Sequence, residues 1–288
     1  FYRLKVEVEY LDSFLDLIDK NSDIIKDVLK ALITNFNVEE CLEIKQIEKE
    51  INHDVKAIEY YIRKKFMEVG LSDNLNHYIH YGLTSQDINS TALVLMLKEF
   101  SLDFLIPTIS TIANLLKEKI SEYRFVTMIG LTHGQPATIT RMGKFFELYR
   151  YKLCIQLKKL KEFEYCTKFG GAVGTLEAHN YSMEQVNWFK WTKEFLKDKF
   201  NLKRQTHTSQ IMNYEHLSEL FSIVQRVNTI LIDFAVNVWL YISRDYFCYD
   251  NGGDVGSSAM PHKINPILFE NAEGNLIMAN GIFDIFNR

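Results

Sequence analysis

Between Asn213 and Tyr246, apolar residues recur every seven positions at Leu217, Val224, Leu231 and Val238, interleaved by Leu220, Val227, Phe234 and Tyr241. This is the a/d pattern of helices that pack at shallow angles, and it makes a seam roughly 40 Å long at 1.5 Å per residue. The seam serves either an intrachain core or, as so narrow a stripe favours, a subunit interface. Helical periodicity also predicts helices over Leu4 to Asn21, Asn52 to Val69, Ile88 to Phe104, Thr108 to Tyr123, Arg141 to Lys168 and Met183 to Phe200. Proline is absent from 1 to 106 and from 137 to 260. Because a proline inside a helix costs about 3 kcal/mol, that gap leaves long helices unopposed. Pro107 suits the first turn of its own helix. Very little reads as strand. The predicted class is all-α: an elongated, mostly antiparallel helical bundle, with a smaller N-terminal helical part over 1–90 and a long-helix domain over 91–288.

Three polar stretches interrupt the helical pattern. They are His80-Tyr81-Gly82-Leu83-Thr84-Ser85-Gln86-Asp87-Ile88-Asn89, Leu131-Thr132-His133-Gly134-Gln135-Pro136-Ala137, and Gly256-Ser257-Ser258-Ala259-Met260-Pro261-His262-Lys263-Ile264-Asn265-Pro266. The last holds two of the chain's four prolines and follows Asn251-Gly252-Gly253-Asp254. Each stretch has glycine, which lets backbone approach a ligand closely, and hydroxyls or amides just before a helix. Taken singly, each has a plain structural explanation. Thr84 to Asp87 can be a helix cap, His133 a loop hydrogen-bonder, the glycines a connector and Lys263 a solvated charge. Their joint occurrence among smooth helices is what points to a site.

Composition narrows the class. With 288 residues, 47% hydrophobic and 24% charged, the chain can bury a full core. Thirty-three basic against 37 acidic residues leave a charge of −4, dispersed rather than clustered, which argues against nucleic-acid or membrane-surface partners. Cys41, Cys154, Cys166 and Cys248 show no CxxC spacing, so reduced thiols in the cytoplasm are expected. No uninterrupted apolar run approaches the roughly 20 residues that cross a bilayer, and Phe1-Tyr2-Arg3 opens no signal peptide. The missing initiator Met, and an end at Asn287-Arg288 without a helix-stop signal, predict a fragment of something longer. The eight histidines form no HxxxH or HExxH pattern, so neither a metal nor another cofactor is expected.

The stretch from Gly256 to Pro266 closely resembles the signature loop of the fumarase, aspartase and argininosuccinate lyase superfamily, and its Met-Pro-His-Lys form resembles the bacterial-type adenylosuccinate lyase branch. Agreement extends through Asn52-His53-Asp54-Val55-Lys56-Ala57, Thr84-Ser85, Thr132 to Ala137, Gly171 to Gly174, Thr208-Ser209-Gln210 and Phe269-Glu270-Asn271. The resemblance implies β-elimination of fumarate from adenylosuccinate, giving AMP, and from SAICAR, giving AICAR. It implies Ser257 as base, His133 as general acid and Glu270, thirteen positions beyond Ser257, as the carboxylate orienting that histidine. A serine acts as a base only where its alkoxide is stabilised; Lys263 and the loop amides are suited to that, and the glycines to lid motion. Asn52, His53, Asp54, Thr84, Ser85, Thr132, Gln210, Met260, Lys263, Asn265 and Asn271 match substrate-site positions, with Thr84 and Ser85 on a succinyl carboxylate. His80 fits a phosphate contact or a capping role equally. Relatives are homotetramers whose central helices form one multi-helix core and whose sites draw on three subunits.

This sequence also departs from the family. An Arg-Tyr pair before the first helix has no counterpart, Gly170-Gly171 replaces Asn-Gly, and the arginine and serine positions after the signature helix and a C-terminal helical domain are absent from this chain. Two alternatives are a sibling fumarate-releasing lyase, such as one acting on argininosuccinate, and a noncatalytic helical scaffold descended from the same fold.

Overall fold

The computed structural model describes residues 1–250, 260 and 263–288. In chain order the helices are α1 (Tyr2–Leu17), α2 (Asp23–Thr34), α3 (Val38–Ile51), α4 (Asp54–Glu68), α5 (Ser85–Phe100), α6 (Ile106–Glu122), α7 (Met142–Lys161), α8 (Glu177–Ser182), α9 (Trp188–Phe200), α10 (Glu215–Ser243) and α11 (Ile267–Phe286). A 3-10 turn spans Asp73–Tyr78 and a π-helical turn Ser101–Leu105. Among the described residues, strand is confined to β1 (Thr127–Thr132) with β2 (Gln135–Arg141), and β3 (Cys166–Thr167) with β4 (Lys203–Arg204). The class is all-α. The chain forms two compact units, Phe1–Phe100 with Glu164–Asn213, and Ser101–Phe163 with Tyr214–Arg288.

In the first unit, Leu4, Val8, Leu11 and Leu15 lie at i, i+4, i+7 and i+11 on α1, one helical stripe, and all are buried. They share a core with Leu29 of α2, Ile44 of α3, and Tyr61, Ile62 and Phe66 of α4. Helices α2 and α3 are absent from the sequence reading, although each has a local start signal. Ser22 Oγ accepts from the Ile25 N–H at 3.4 Å, and Asn37 Oδ1 accepts from Glu39 and Glu40 at 2.8 and 3.1 Å. On another face of α1, Tyr10 and Phe14 enter an aromatic cluster with Tyr81, Trp188, Trp191 and Phe195. Helix α9, predicted from Met183, starts at Trp188 because Asn187 caps it, accepting from Lys190 N–H at 3.0 Å. The helix predicted to reach Lys168 stops at Lys161, and β3 instead pairs in parallel with β4.

In the second unit, α10 packs against α7 and α11, and α6 against α7. Of the heptad seam, Leu217, Leu220, Val224, Val227 and Val238 are buried inside the chain, whereas Leu231, Phe234 and Tyr241 are half-buried. Within the chain, the seam thus contributes its first two heptads and Val238 to the core and leaves Leu231, Phe234 and Tyr241 partly exposed. Phe234 touches Phe145, Phe146 and Tyr149 of α7 and Phe269 of α11. Helix α10 is long and apolar enough in composition to cross a membrane. Its polar residues are nonetheless engaged with α11: Gln225 donates to Asp284 at 2.6 Å and Asn228 to Asn280 at 2.9 Å. No side chain of α11 is buried, and Leu268, Ile277, Met278, Ile285 and Phe286 are exposed.

Candidate active-site elements

The Asn52-His53-Asp54 stretch is the hinge between α3 and α4. Asn52 takes a left-handed conformation (φ 54°) as the C-cap of α3, its N–H donating to Glu48 O at 2.8 Å. His53 is the N-cap of α4, its Nδ1 accepting from Lys56 N–H at 3.1 Å. Asp54 Oδ2 lies 3.2 Å from the Arg3 guanidinium and accepts from Asn89 of α5 at 3.3 Å, while Arg3 Nε donates to Asn89 Oδ1 at 2.6 Å. Burial would raise the Asp54 carboxyl, but the Val55 N–H, Arg3, Asn89 and His53 outweigh it and hold it below the usual carboxylate value. Asn52, His53 and Asp54 border an open depression with Lys45, Glu48 and Lys49.

Asn89 ties that hinge to the helix that begins at Ser85. Among the described residues, neither the Thr84 nor the Ser85 hydroxyl has a hydrogen-bond partner, so the capping explanation for these two side chains does not hold. Asp87 does the capping instead: its Oδ2 accepts from Thr84 N–H at 2.9 Å, and its own N–H donates to Thr84 O at 2.9 Å. The two hydroxyls therefore stand at the start of a 16-residue helix, where the dipole and unpaired N–H groups favour a carboxylate.

Two histidines support this turn from below. His80 has φ 58° and its Nδ1 lies 2.9 Å from Oε2 of the fully buried Glu7. Burial opposes the charged ring, but Glu7, with Glu59 and Asp87, outweighs it and raises the imidazole above its usual value. One ring nitrogen is thus committed to a structural partner. His179, which sequence reasoning missed, is fully buried with Nε2 2.8 Å from Tyr10 Oη, and Tyr10 Oη donates to Tyr81 O at 2.7 Å. Since the phenol has one proton, satisfying both contacts makes Nε2 the donor, and Nδ1 is left without a partner among the described residues. Burial pushes this imidazole down to about 4, against the pull of Asp87 and the Tyr81 backbone. Gly82, with φ 68°, lies against the His179 ring, and a β-carbon there would stand 2.6 Å from Cε1. Gln210 is exposed in the loop following β4.

In the second unit, the Thr132 to Ala137 stretch is a hairpin rather than a loop. Thr132 pairs with Gln135, leaving His133 (φ 53°) and Gly134 (φ 71°) as a two-residue turn. Positive φ at both centres is the type I′ turn that matches the twist of paired strands. The turn exposes His133 at its tip, with Thr132 exposed beside it. Arg244, the C-cap of α10, reaches over this turn: a β-carbon on Gly134 would lie 3.3 Å from Arg244 Nη2. Tyr246 Oη donates to Ile129 O at 3.0 Å, fastening the same end of α10 to β1.

Ser257, the expected base, lies outside the described residues. Met260 and Lys263 are exposed, with Lys263 N–H donating to Met260 O at 2.9 Å. Asn265 O accepts from Ile267 N–H at 2.9 Å as α11 begins after Pro266. Glu270 and Asn271 are exposed in the first turns of α11. Among the described residues, no hydrogen bond or ion pair joins Glu270 to His133, and no three His, Cys, Asp or Glu side chains group as metal ligands.

A family model described as lyase matches residues 5–281. The chain is 41% identical over 256 residues to adenylosuccinate lyase of Vibrio cholerae, covering 88% of this chain and 56% of that one. It is 40% identical over 296 residues to adenylosuccinate lyase of Dictyostelium discoideum (98% and 63% covered), and 38% over 255 residues to that of Escherichia coli K12 (88% and 56%). The chain thus spans about six tenths of the length of these relatives. In fold it is similar to the crystal structure of 3-carboxy-cis,cis-muconate lactonizing enzyme from Pseudomonas putida, with a TM-score of 0.74 at 20% identity, over 98% of this chain and 61% of that one. The match along nearly its whole length places the chain in the lyase family.

Proposed function

We propose that this chain carries the elimination chemistry of an adenylosuccinate lyase, releasing fumarate from adenylosuccinate to leave AMP and from SAICAR to leave AICAR, in purine nucleotide biosynthesis. The geometric observation that carries this reading is the pair of uncommitted hydroxyls, Thr84 and Ser85, at the positive end of α5, a seat for a succinyl carboxylate. Similarity to relatives bearing that name supports the choice of substrate.

In this reading the Ser257 alkoxide takes the proton beside the succinyl carboxylate, and the carbanion's charge spreads onto that carboxylate as an aci-dianion. The C–N electron pair then leaves with nitrogen, which His133 protonates. Lys263 offsets the charge on the serine oxygen, Glu270 orients His133, and Met260 and Asn265 face the substrate. Asn52, His53, Asp54, Thr132, Gln210 and Asn271 line the substrate site. The enzyme is a cytoplasmic homotetramer, and its exposed apolar α11 suits burial against neighbouring copies. Sites assembled from several subunits also account for a chain in which Glu270 and His133 are not joined.

The roles are tested by Ser257→Ala and His133→Gln in the full-length protein, with assembly checked by sedimentation. Each is expected to lower kcat by about a hundredfold or more. A tetrameric Ser257→Ala enzyme with wild-type turnover overturns the assignment of the base.

A further inference from the structure

Asp87 is the point where two remote segments meet. Its side chain is fully buried. Oδ1 accepts from Gly170 N–H at 2.8 Å and Gly171 N–H at 3.3 Å and pairs with Lys168 Nζ at 2.7 Å, while Oδ2 accepts from Thr84 N–H at 2.9 Å and Gly171 N–H at 3.1 Å. Lys168 Nζ also donates to Gly171 O at 2.8 Å, so the ammonium holds both the carboxylate and the loop that carries it. One carboxylate therefore fixes the backbone at Thr84 and at Gly170-Gly171, more than eighty residues apart.

We propose that Asp87 is a positioning residue for the substrate's succinyl carboxylate: by holding the Thr84 N–H and the Gly170 and Gly171 N–H groups on one carboxylate, it fixes where the Thr84 and Ser85 hydroxyls stand. This rests on the reading of Thr84 and Ser85 given under Proposed function. Asp87 itself touches no substrate. A carboxylate suits the place because every group facing it is a donor. Asparagine fills the same volume but presents one N–H₂ group, which must oppose a backbone N–H or the Lys168 ammonium.

Asp87→Asn in the full-length protein tests this through two readouts. Hydrogen exchange over residues 83–88 is expected to quicken. Inhibition by fumarate is expected to weaken about tenfold or more, as for a lost charge-assisted hydrogen bond. Inhibition by AMP, which lacks the succinyl carboxylates, stays within about twofold. A merely structural role would weaken fumarate and AMP together, and that outcome overturns the proposal, as does unchanged exchange. If Asp87→Asn does not assemble, the same comparison on Asp87→Glu, which keeps the charge but displaces it by one methylene, decides between these outcomes. The exchange readout does not depend on substrate identity. A wild-type enzyme inert toward adenylosuccinate, with exchange quickened in Asp87→Asn, would refute the functional reading and leave the backbone clamp standing.

Discussion

Lys168 and Asp87 form an ion pair 2.7 Å long with side chains only 1% and 0% exposed. Burial lowers the lysine's affinity for its proton, the carboxylate resists that loss, and the nearby Arg204 adds to it. Such a pair adds little net stability over apolar side chains of equal volume, but removing one partner strands the other charge. Lys168→Met is therefore expected to lower unfolding free energy by about 3 kcal/mol, and the double variant Lys168→Met/Asp87→Asn to recover part of that loss. Urea unfolding of the set measures the coupling. Additive losses would mean that the pair is not energetically joined.

Gly82 and His179 make a steric prediction. Gly82→Ala forces a positive φ on alanine and drives its β-carbon to 2.6 Å from the imidazole, so a loss of about 2 kcal/mol or more is expected. His179→Ala in the same chain removes the clash and leaves only the backbone strain, about 1 kcal/mol. Thermal melts of both singles and the double variant should show the two substitutions to be less than additive.

The low His179 pKa gives a pH dependence with a definite sign. In the unfolded chain the ring binds a proton near pH 6.5, whereas in the fold it does so only near pH 4. Its contribution is therefore complete above pH 6.5 and lost as pH falls towards 4, on the order of 3 kcal/mol in total. His80, whose pKa is raised by Glu7 against burial, acts in the opposite sense and stabilises the fold below pH 6.5. Urea midpoints between pH 7 and pH 4.5 should fall less steeply in His179→Gln than in the wild type. Identical slopes would show that the buried ring does not control the acid branch.

The proposed sharing of sites between subunits predicts complementation. Mixing and reassembling full-length Ser257→Ala with His133→Gln should restore part of the activity that each lacks, because some sites then contain one intact copy of each segment. Activity that stays at the level of the separate variants would place both groups on one chain's site.

How far the sequence reveals this molecule depends on the range of each signal. Helix α10 is readable because Leu217, Leu220, Val224 and Val227 repeat a local period, and His133-Gly134 and Thr84-Ser85 are readable as polar interruptions of helix. The end of α7 is not, since aromatic and basic residues continue past Lys161 without glycine or proline until Gly170. The type I′ turn is concealed by a histidine at a position that usually favours asparagine or glycine. Asp87 reads locally as one more polar residue in a cap, because Lys168, Gly170 and Gly171 come near it only in the folded chain. His179 gives no motif at all; only its burial against Tyr10 and Gly82 reveals it. Ser257 is the reverse case, a residue marked by sequence that lies outside the described structure.

The most direct test is fumarate release by the full-length protein, followed optically with adenylosuccinate and argininosuccinate supplied in separate reactions. Turnover of adenylosuccinate and none of argininosuccinate is expected. Turnover of argininosuccinate alone, or of neither substrate by a correctly assembled protein, would contradict the proposed function.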